Sequence, residues 1–267
     1  MLPPNLHGVA QTLLVPLACR ALESSRPDAI LRDPCAEAVY RALGGNADFL
    51  LGMSAADAFV TVMRARQFDR LARAFLAHQP GGLVVDIGCG LDTRFDRLDD
   101  GALTWLGVDL PDVIELRRTV LPDGARCHTL AQSMLDLSWL ETVAHINKPT
   151  LFLAEGVFPY FSTAQVKPLV LEMAARFPHG ELVFDAAAPF IARHHNRVSS
   201  VLKRSGTRVL WDAKNSQEIE AWGLCLLDHW YYFDQPEPRL GAWAWVRWIP
   251  FMAHATGVFH FRLSAPG

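Results

Sequence analysis

One short segment constrains the fold of this chain more than any other. The run Val84–Ile87, apolar apart from Asp86, ends at two glycines, Gly88 and Gly90, and a second apolar run ends at Asp109, 19 residues beyond Gly90. An apolar run that stops at glycines predicts a buried strand, and glycine lets a backbone bend tightly and a ligand approach closely. An acid at this spacing is typical of a second strand whose terminal carboxylate binds a ribose. The sequence therefore predicts a parallel sheet that holds a nucleoside-containing cofactor.

The residues after the glycine turn indicate which cofactor this is. In a dinucleotide-binding turn, a third small residue lets the helix pack closely and a pyrophosphate lies at the helix N-terminus. This chain has Thr93 at that position and Asp92 beside it. A carboxylate there repels a pyrophosphate, whereas S-adenosyl-L-methionine carries a sulfonium, an amino group and no phosphate. The sequence favours S-adenosyl-L-methionine; an NAD-dependent oxidoreductase on a Rossmann-like sheet and an ordinary turn with solvated acids remain alternatives.

The chain continues to alternate strand and helix patterns. Further strands are predicted at 126–130, 150–155 and 181–185, with helices between them and three helices before residue 80. This alternation predicts an α/β fold with a doubly wound, mostly parallel sheet, which binds ligands at the carboxyl ends of its strands. Four acids fall at such ends: Asp86, Asp109, Glu155 and Asp185.

The alternation stops after the fifth strand. The irregular sequence that follows indicates a lid, and later patterns predict two closing strands at 224–233 and 258–264 with a tryptophan-rich helix at 242–255 between them. We therefore divide one compact domain into four parts. They are an N-terminal helical cap at 1–80, a cofactor-binding core at 81–185, a lid insertion at 186–215, and closing strands and helix at 216–267.

Composition narrows the classes of partner. The net charge is −3 and no block of Lys or Arg occurs, whereas a nucleic-acid-binding protein carries a basic patch. No apolar stretch approaches the roughly 18 residues of a membrane span. Five scattered cysteines without a Cys-x-x-Cys pair indicate reduced thiols, a cytoplasmic location and no metal site. We expect a small-molecule partner, and the sequence says nothing of the oligomeric state.

Three segments of the chain resemble the leucine carboxyl methyltransferase family. This family includes protein-phosphatase carboxyl methyltransferases and bacterial O-methyltransferases of polyketide and other natural-product pathways. The resemblance covers about residues 10–190, and its segments are 84–95 (VVDIGCGLDTRF), 108–114 (VDLPDVI) and 154–161 (AEGVFPYF). It implies a class I methyltransferase fold with a seven-stranded sheet, extra N-terminal helices, a helical lid after strand 5, and S-adenosyl-L-methionine as cofactor.

The resemblance also implies which residues bind the nucleoside part of the cofactor. The two glycines of the turn would line the methionine and ribose. Asp109, with Leu110 beside it, would bind the ribose hydroxyls, and Asp136 and Leu137 would hold the adenine. Asp136 is also placed to cap the helix predicted from Ser138, and both roles are compatible.

A second group of residues is expected at the charged tail of the cofactor. By resemblance, Glu155 lies near the methionine amino group and Arg64 pairs with the carboxylate, for which a guanidinium offers a planar fork. Arg66 is the competing choice, because the sequence does not fix the helical register. Arg20 resembles a further basic contact, and Asp86 is a second acid placed to meet cationic groups.

The acceptor is expected to be a flat, largely apolar small molecule, such as a polyketide-like natural product. A carboxylate acceptor is ionised at pH 7 and needs no base, whereas a phenol gains from one. His194 and His195 on the predicted lid are the candidate bases. The candidate pocket walls are Phe158, Tyr160, Phe190 and Trp211.

A protein C-terminal carboxylate remains the alternative acceptor. It would need an open groove with basic residues, and Lys203, Arg204 and Arg208 are the candidates.

Overall fold

The computed structural model describes residues 13–45, 53–234 and 237–264, and a seven-stranded sheet forms its centre. The strand order is β3-β2-β1-β4-β5-β7-β6; β7 runs antiparallel to both of its neighbours and the other pairs are parallel. The predicted doubly wound, mostly parallel sheet is confirmed. The strands are β1 Leu83–Ile87, β2 Thr104–Asp109, β3 Cys127–Ala131, β4 Thr150–Ala154, β5 Glu181–Ala187, β6 Cys225–Tyr231 and β7 Thr256–Arg262.

Helices cover both faces of this sheet, and their starts follow local capping chemistry. Asp33 accepts a hydrogen bond from the backbone N–H of Ala36, and Ser54 and Asp57 form a capping box at the start of the third helix. The first helix was predicted from residue 11, and residues 11 and 12 lie outside the described part of the chain. The helices are α1 Leu14–Ser24, α2 Pro34–Ala42, α3 Ala55–His78, α4 Arg94–Leu98, α5 Pro111–Val120, α6 Trp139–Ile146, α7 Thr163–Arg176, α8 Pro189–Val198, α9 Ser200–Ser205, α10 Ser216–Glu220 and α11 Pro250–Ala253.

The central strands are buried on both faces, which is why they read as continuous apolar runs. Val84 on β1 packs with Phe68 and Phe75 of α3 on one face. Val85, next in the chain, faces the opposite core with Trp139 of α6 and Phe152 of β4. Since both faces are covered, a ligand can reach these strands at their carboxyl ends.

The tryptophan-rich segment differs from its prediction. Instead of one helix over 242–255, Pro238–Trp248 forms 3₁₀ turns, and the short helix α11 follows. Gly241 interrupts the turns with φ 55° and ψ −125°, a conformation that favours glycine. Pro250 removes a backbone donor and holds Ile249 outside the helical region. The periodic tryptophans suggested a helix, and these two residues break it.

No helix in the described ranges is both long enough and apolar enough to cross a membrane. Among the same residues, His, Cys, Asp and Glu side chains form no group that could hold a metal ion.

Candidate cofactor and acceptor site

A cavity of about 800 Å³ opens at the carboxyl ends of β1, β2, β4 and β5. Residues of α1, of the N-terminal half of α3, and of α8 and α9 form its walls. Ligand pockets typically enclose about 300–1,000 Å³, so this cavity is large enough for a cofactor and part of a second molecule.

The glycine turn forms the floor of this cavity. Gly88 and Gly90 have φ of 67° and 43°, which side-chain-bearing residues rarely adopt. A Cβ atom on Gly88 would lie 2.4 Å from the Cγ2 atom of Val157, so no larger residue fits there. The turn therefore needs glycine for its backbone and for the closeness of the β4 loop, and it leaves an open cradle on the cavity side.

Asp109 closes the turn at the end of β2. Its carboxylate accepts hydrogen bonds from the backbone N–H groups of Gly90 and Leu110, both at 2.7 Å. Burial raises the pKa of Asp109. A carboxylate can accept about four hydrogen bonds, so two acceptor positions remain for hydroxyl groups of a ligand.

Acids dominate the charged groups that line the cavity. Among the described lining residues there are six carboxylates and two guanidinium groups. Asp86 is buried at the end of β1, and its Oδ2 atom has no hydrogen-bond partner in the described part of the chain. Burial raises the pKa of Asp86 well above its usual value, and Asp92 and Glu155 raise it further. An unpaired buried acid is costly, so the floor of the cavity suits a cationic ligand.

Arg64 faces the cavity, which decides the register that the sequence left open. Its Nε donates to Oε1 of Glu155 and its Nη1 to Oδ2 of Asp185, both at 3.0 Å. Arg66, two residues further along α3, is exposed and does not line the cavity. Gly156 lets the guanidinium come close, because a Cβ atom there would lie 3.1 Å from Nη2 of Arg64.

A network of buried charges lies behind the cavity, and sequence reasoning missed it. Arg94 is fully buried and donates to Asp69, Asp92 and Glu155, with its Nε 2.6 Å from Oδ1 of Asp69. Arg97 pairs with Asp69 as well, at 2.8 Å. These contacts tie α3 and α4 to the glycine turn and to the end of β4.

The network corrects the interpretation of Asp92. The carboxylate of Asp92 was expected to repel a pyrophosphate and to suit a cationic ligand. In the structure it pairs with Arg94. Although burial alone would raise its pKa, Arg94 and Arg20 lower the pKa of Asp92 to about 2. The charge of Asp92 is thus satisfied within the protein.

Arg20 lines the cavity, but its guanidinium group already has partners within the protein. Its Nε lies 3.2 Å from Oδ2 of Asp33, and its Nη2 donates to the carbonyl of Leu91 at 3.0 Å. It therefore links α1 to the start of α2 and to the glycine turn.

The two residues expected at the adenine lie beside the cavity rather than in its lining. Asp136 is exposed and accepts hydrogen bonds from the backbone and hydroxyl of Ser138, at 3.2 and 2.9 Å. Leu137 packs against the core. Ser133 and Met134, just before them, do line the cavity. The adenine contacts of Asp136 and Leu137 stay predictions.

Of the four aromatic residues expected at the acceptor, Tyr160 lines the cavity. Phe158 and Trp211 are buried in the core and stack on each other at 6.3 Å between ring centroids. Phe190 packs against Phe251 at 5.2 Å. Phe158, Trp211 and Phe190 are absent from the described lining of the cavity, so the structure does not support their expected roles at the acceptor.

Both candidate bases lie at the cavity. The rings of His194 and His195 are 6.4 Å apart on α8, and both line it. Burial lowers the pKa of His195, with Asp57 opposing the shift. In contrast, Lys203, Arg204 and Arg208 are exposed and are absent from the described lining, so the basic groove that a protein tail would need does not form there.

The lining of the cavity also contains residues that sequence reasoning did not single out. They are Val60, Thr61, Val198, Tyr232 and Trp243. For α3 a signal existed: Asp57, Val60, Thr61 and Arg64 follow the spacing of one helical face. No sequence signal indicated that Trp243 faces the cavity, because its segment was expected to form a helix.

Comparison with known proteins gives one consistent answer. The sequence profile of the leucine carboxyl methyltransferase family matches residues 14–174. The chain is 34% identical over 236 residues to the tetracenomycin polyketide synthesis O-methyltransferase TcmP of Streptomyces glaucescens, covering 87% of this chain and 86% of that protein. It is 28% identical over 264 residues to the S-adenosyl-L-methionine-dependent methyltransferase dpfgK of Gibberella zeae, covering 91% and 88%.

A solved structure supports the fold. The crystal structure of a presumed methyltransferase from Thermobifida fusca has a TM-score of 0.61 at 14% identity and covers 98% of both chains. Together with the glycine turn, Asp109 and the cavity at the strand ends, these matches identify the protein: the chain belongs to the leucine carboxyl methyltransferase family and is a methyltransferase.

Proposed function

We propose that this protein transfers the methyl group of S-adenosyl-L-methionine to an oxygen atom of a flat, largely apolar small molecule. The acceptor is a carboxylate or phenolic hydroxyl of a polyketide-like natural product. The observation that carries this proposal is the cavity, in which an acid-rich floor beside a glycine cradle adjoins a mostly apolar half. The names of the two relatives, an O-methyltransferase of polyketide synthesis and an S-adenosyl-L-methionine-dependent methyltransferase, agree with it.

The cofactor is S-adenosyl-L-methionine, and the residues present fit it. Asp109 would hold the ribose hydroxyls with its two remaining acceptor positions. Arg64 would hold the methionine carboxylate. Asp86, whose Oδ2 atom lacks a partner, and Glu155 would hold the amino group. A pyrophosphate would instead face the acids of the floor, which argues against NAD.

The chemistry asks the protein mainly for alignment. S-adenosyl-L-methionine supplies an electrophilic methyl group on a good, neutral leaving group. The glycine turn and Arg64 fix one end of the cavity, while the apolar residues of α8 and α9 exclude water from the other. For a phenol, His195 is neutral at pH 7 because its pKa is lowered, so it can accept the proton.

A labelled methyl group tests the function. The protein should bind S-adenosylhomocysteine in calorimetry and should move the label from S-adenosyl-L-methionine to an aromatic acid or phenol. Mild alkali then separates the two products, since it cleaves a methyl ester and leaves an aryl methyl ether intact. With a phenol the rate should fall as pH drops below the pKa of His195; with a carboxylate it should not. Binding of NADH and not of S-adenosylhomocysteine would overturn the proposal.

We also propose that α8 and α9, inside the predicted lid insertion at 186–215, form a lid over the acceptor; residues 186 and 187 belong instead to β5, and Trp211 packs in the core. Within α8 and α9, the buried residues are Ala192, Leu202 and Ser205, so little apolar packing holds these helices down. Their amide hydrogens should exchange faster than those of β1 and β4 in the free protein, and should be protected when S-adenosylhomocysteine and an acceptor bind together. Equal exchange with and without both ligands, measured by mass spectrometry, would contradict the lid.

The remaining partners and the location are proposals too. A small molecule is the partner that the cavity supports, and no nucleic-acid partner is proposed. All five cysteines are free thiols, which agrees with a reducing compartment such as the cytoplasm.

A further inference from the structure

Trp243 combines two properties that rarely occur together. It lines the cavity, and 50% of its surface is still exposed. Trp245, two residues later, is 52% exposed and is absent from the described lining. Exposing an indole to water is unfavourable, so the Trp243 face at the cavity mouth is a surface that gains free energy when a ligand covers it.

The segment that carries Trp243 is firmly anchored. Leu240 and Val246 are each 2% exposed, and Leu240 packs with Phe59 of α3. Arg239 forms a two-pronged ion pair with Glu23 of α1, at 2.8 and 2.6 Å. Gly241 lies between Leu240 and Trp243, and Val246 anchors the segment on the other side of Trp243. The indole is therefore attached to a fixed base rather than to a free loop, which lowers the entropy lost when a ligand stacks on it.

The surroundings of Trp243 select the kind of ligand. Several further lining residues are at least partly exposed, among them Val60 on α3 and Val198 on α8, which is 55% exposed; the lining residues Asp57, His194 and His195 are exposed as well. The flat π face of Trp243 offers stacking, and the valines of the lining offer apolar contact. The lining acids Asp86 and Glu155 lie at the strand ends, where Arg64 of α3 pairs with Glu155, whereas the lining acid Asp57 lies near the start of α3.

We propose that Trp243 is the stacking face of an acceptor subsite at the cavity mouth, and that the acceptor is a planar, fused-ring aromatic molecule. One ring lies on the indole while the oxygen on another ring reaches the cofactor side. A single-ring acceptor of the same chemistry lacks the second ring that would lie on the indole. This inference rests on the proposed function, because it describes the acceptor of the same site.

Two acceptor probes and two matched variants test the subsite. 3-Hydroxy-2-naphthoate and salicylate carry the same carboxyl and hydroxyl groups and differ by one fused ring. Their dissociation constants are measured by calorimetry with S-adenosylhomocysteine present, which does not depend on turnover. The wild type should bind the naphthoate at least tenfold more tightly than salicylate. Trp243→Ala should weaken naphthoate binding by about 5- to 30-fold and salicylate binding far less.

The controls separate stacking from disturbance of the fold. Trp245→Ala removes an equally exposed indole from the same segment and should leave both constants unchanged. Trp243→Phe keeps a flat ring and should retain part of the preference. In turnover, Trp243→Ala should raise KM for the naphthoate and leave kcat and the KM of the cofactor unchanged.

The outcomes also separate this inference from the proposed function. A wild type without a preference for the naphthoate, or a Trp243→Ala variant that keeps it, overturns the subsite while methyl transfer can still be observed. Loss of S-adenosylhomocysteine binding in the wild type would instead overturn the proposed function.

Discussion

Arg94→Ala should lower the free energy of unfolding by about 3–5 kcal/mol, which is the largest effect on stability that we expect from a single substitution in this chain. Arg94 is fully buried, and its removal leaves Asp69, Asp92 and Glu155 without their shared cation. Leaving a buried acid without its partner destabilises the protein far more than the ion pair itself stabilises it. Urea unfolding followed by circular dichroism measures the change as a lower midpoint.

Arg70→Ala is the matched control for this variant. Arg70 also pairs with an acid, Asp228, but the two side chains are 54% and 43% exposed. Exposed pairs contribute at most about 1 kcal/mol, so its midpoint should hardly move. Equal midpoints for the two variants would show that the buried network does not hold the cavity floor in place.

The contrast between these arginines shows where sequence reasoning stops. The ends of β1, β2 and β4 could be predicted to within one residue, because a parallel strand buried on both faces is a continuous apolar run, whereas β5 continues two residues past its predicted end at Asp185. The network of Arg94 could not be predicted. Its partners Asp69 and Glu155 lie 25 and 61 residues away, and nothing local distinguishes them from solvated charges. Only the packing of α3 against the turn brings them together.

A similar limit applies to the acceptor side. Phe158 and Trp211 were predicted to line the acceptor pocket. Each is 3% exposed or less, because both rings pack in the core with residues of β4 and β5. Trp243 was predicted to lie in a helix. Gly241 and Pro250 break that helix, and the segment forms turns instead. Which aromatic residue faces a ligand depends on the backbone between elements, where hydrophobic periodicity carries no information.

The sequence also could not decide whether Arg64 or Arg66 faces the cavity, because it does not fix the helical register of α3. Substitution of the residue that does face it gives the largest effect on ligand binding that we expect. Arg64→Ala should weaken binding of S-adenosylhomocysteine by about 30- to 1,000-fold, or about 2–4 kcal/mol, because it removes the cation that would pair with the ligand carboxylate. Arg66→Ala, two residues along the same helix but exposed, should bind like the wild type. Arg64→Lys keeps the charge without the planar fork and should fall between them. Calorimetry measures all three.

Loss of Arg64 also leaves Asp185 without its ion pair, so the direct effect on the ligand must be separated from a rearranged cavity. A ligand change does this. Decarboxylated S-adenosylmethionine lacks the carboxylate and should bind the wild type more weakly than the intact cofactor. In the Arg64→Ala variant the two ligands should bind almost equally, since the group that discriminates them is gone. If the variant still prefers the intact cofactor by the wild-type factor, another residue binds the carboxylate, and the nearest lining cation in the described chain is then Arg20.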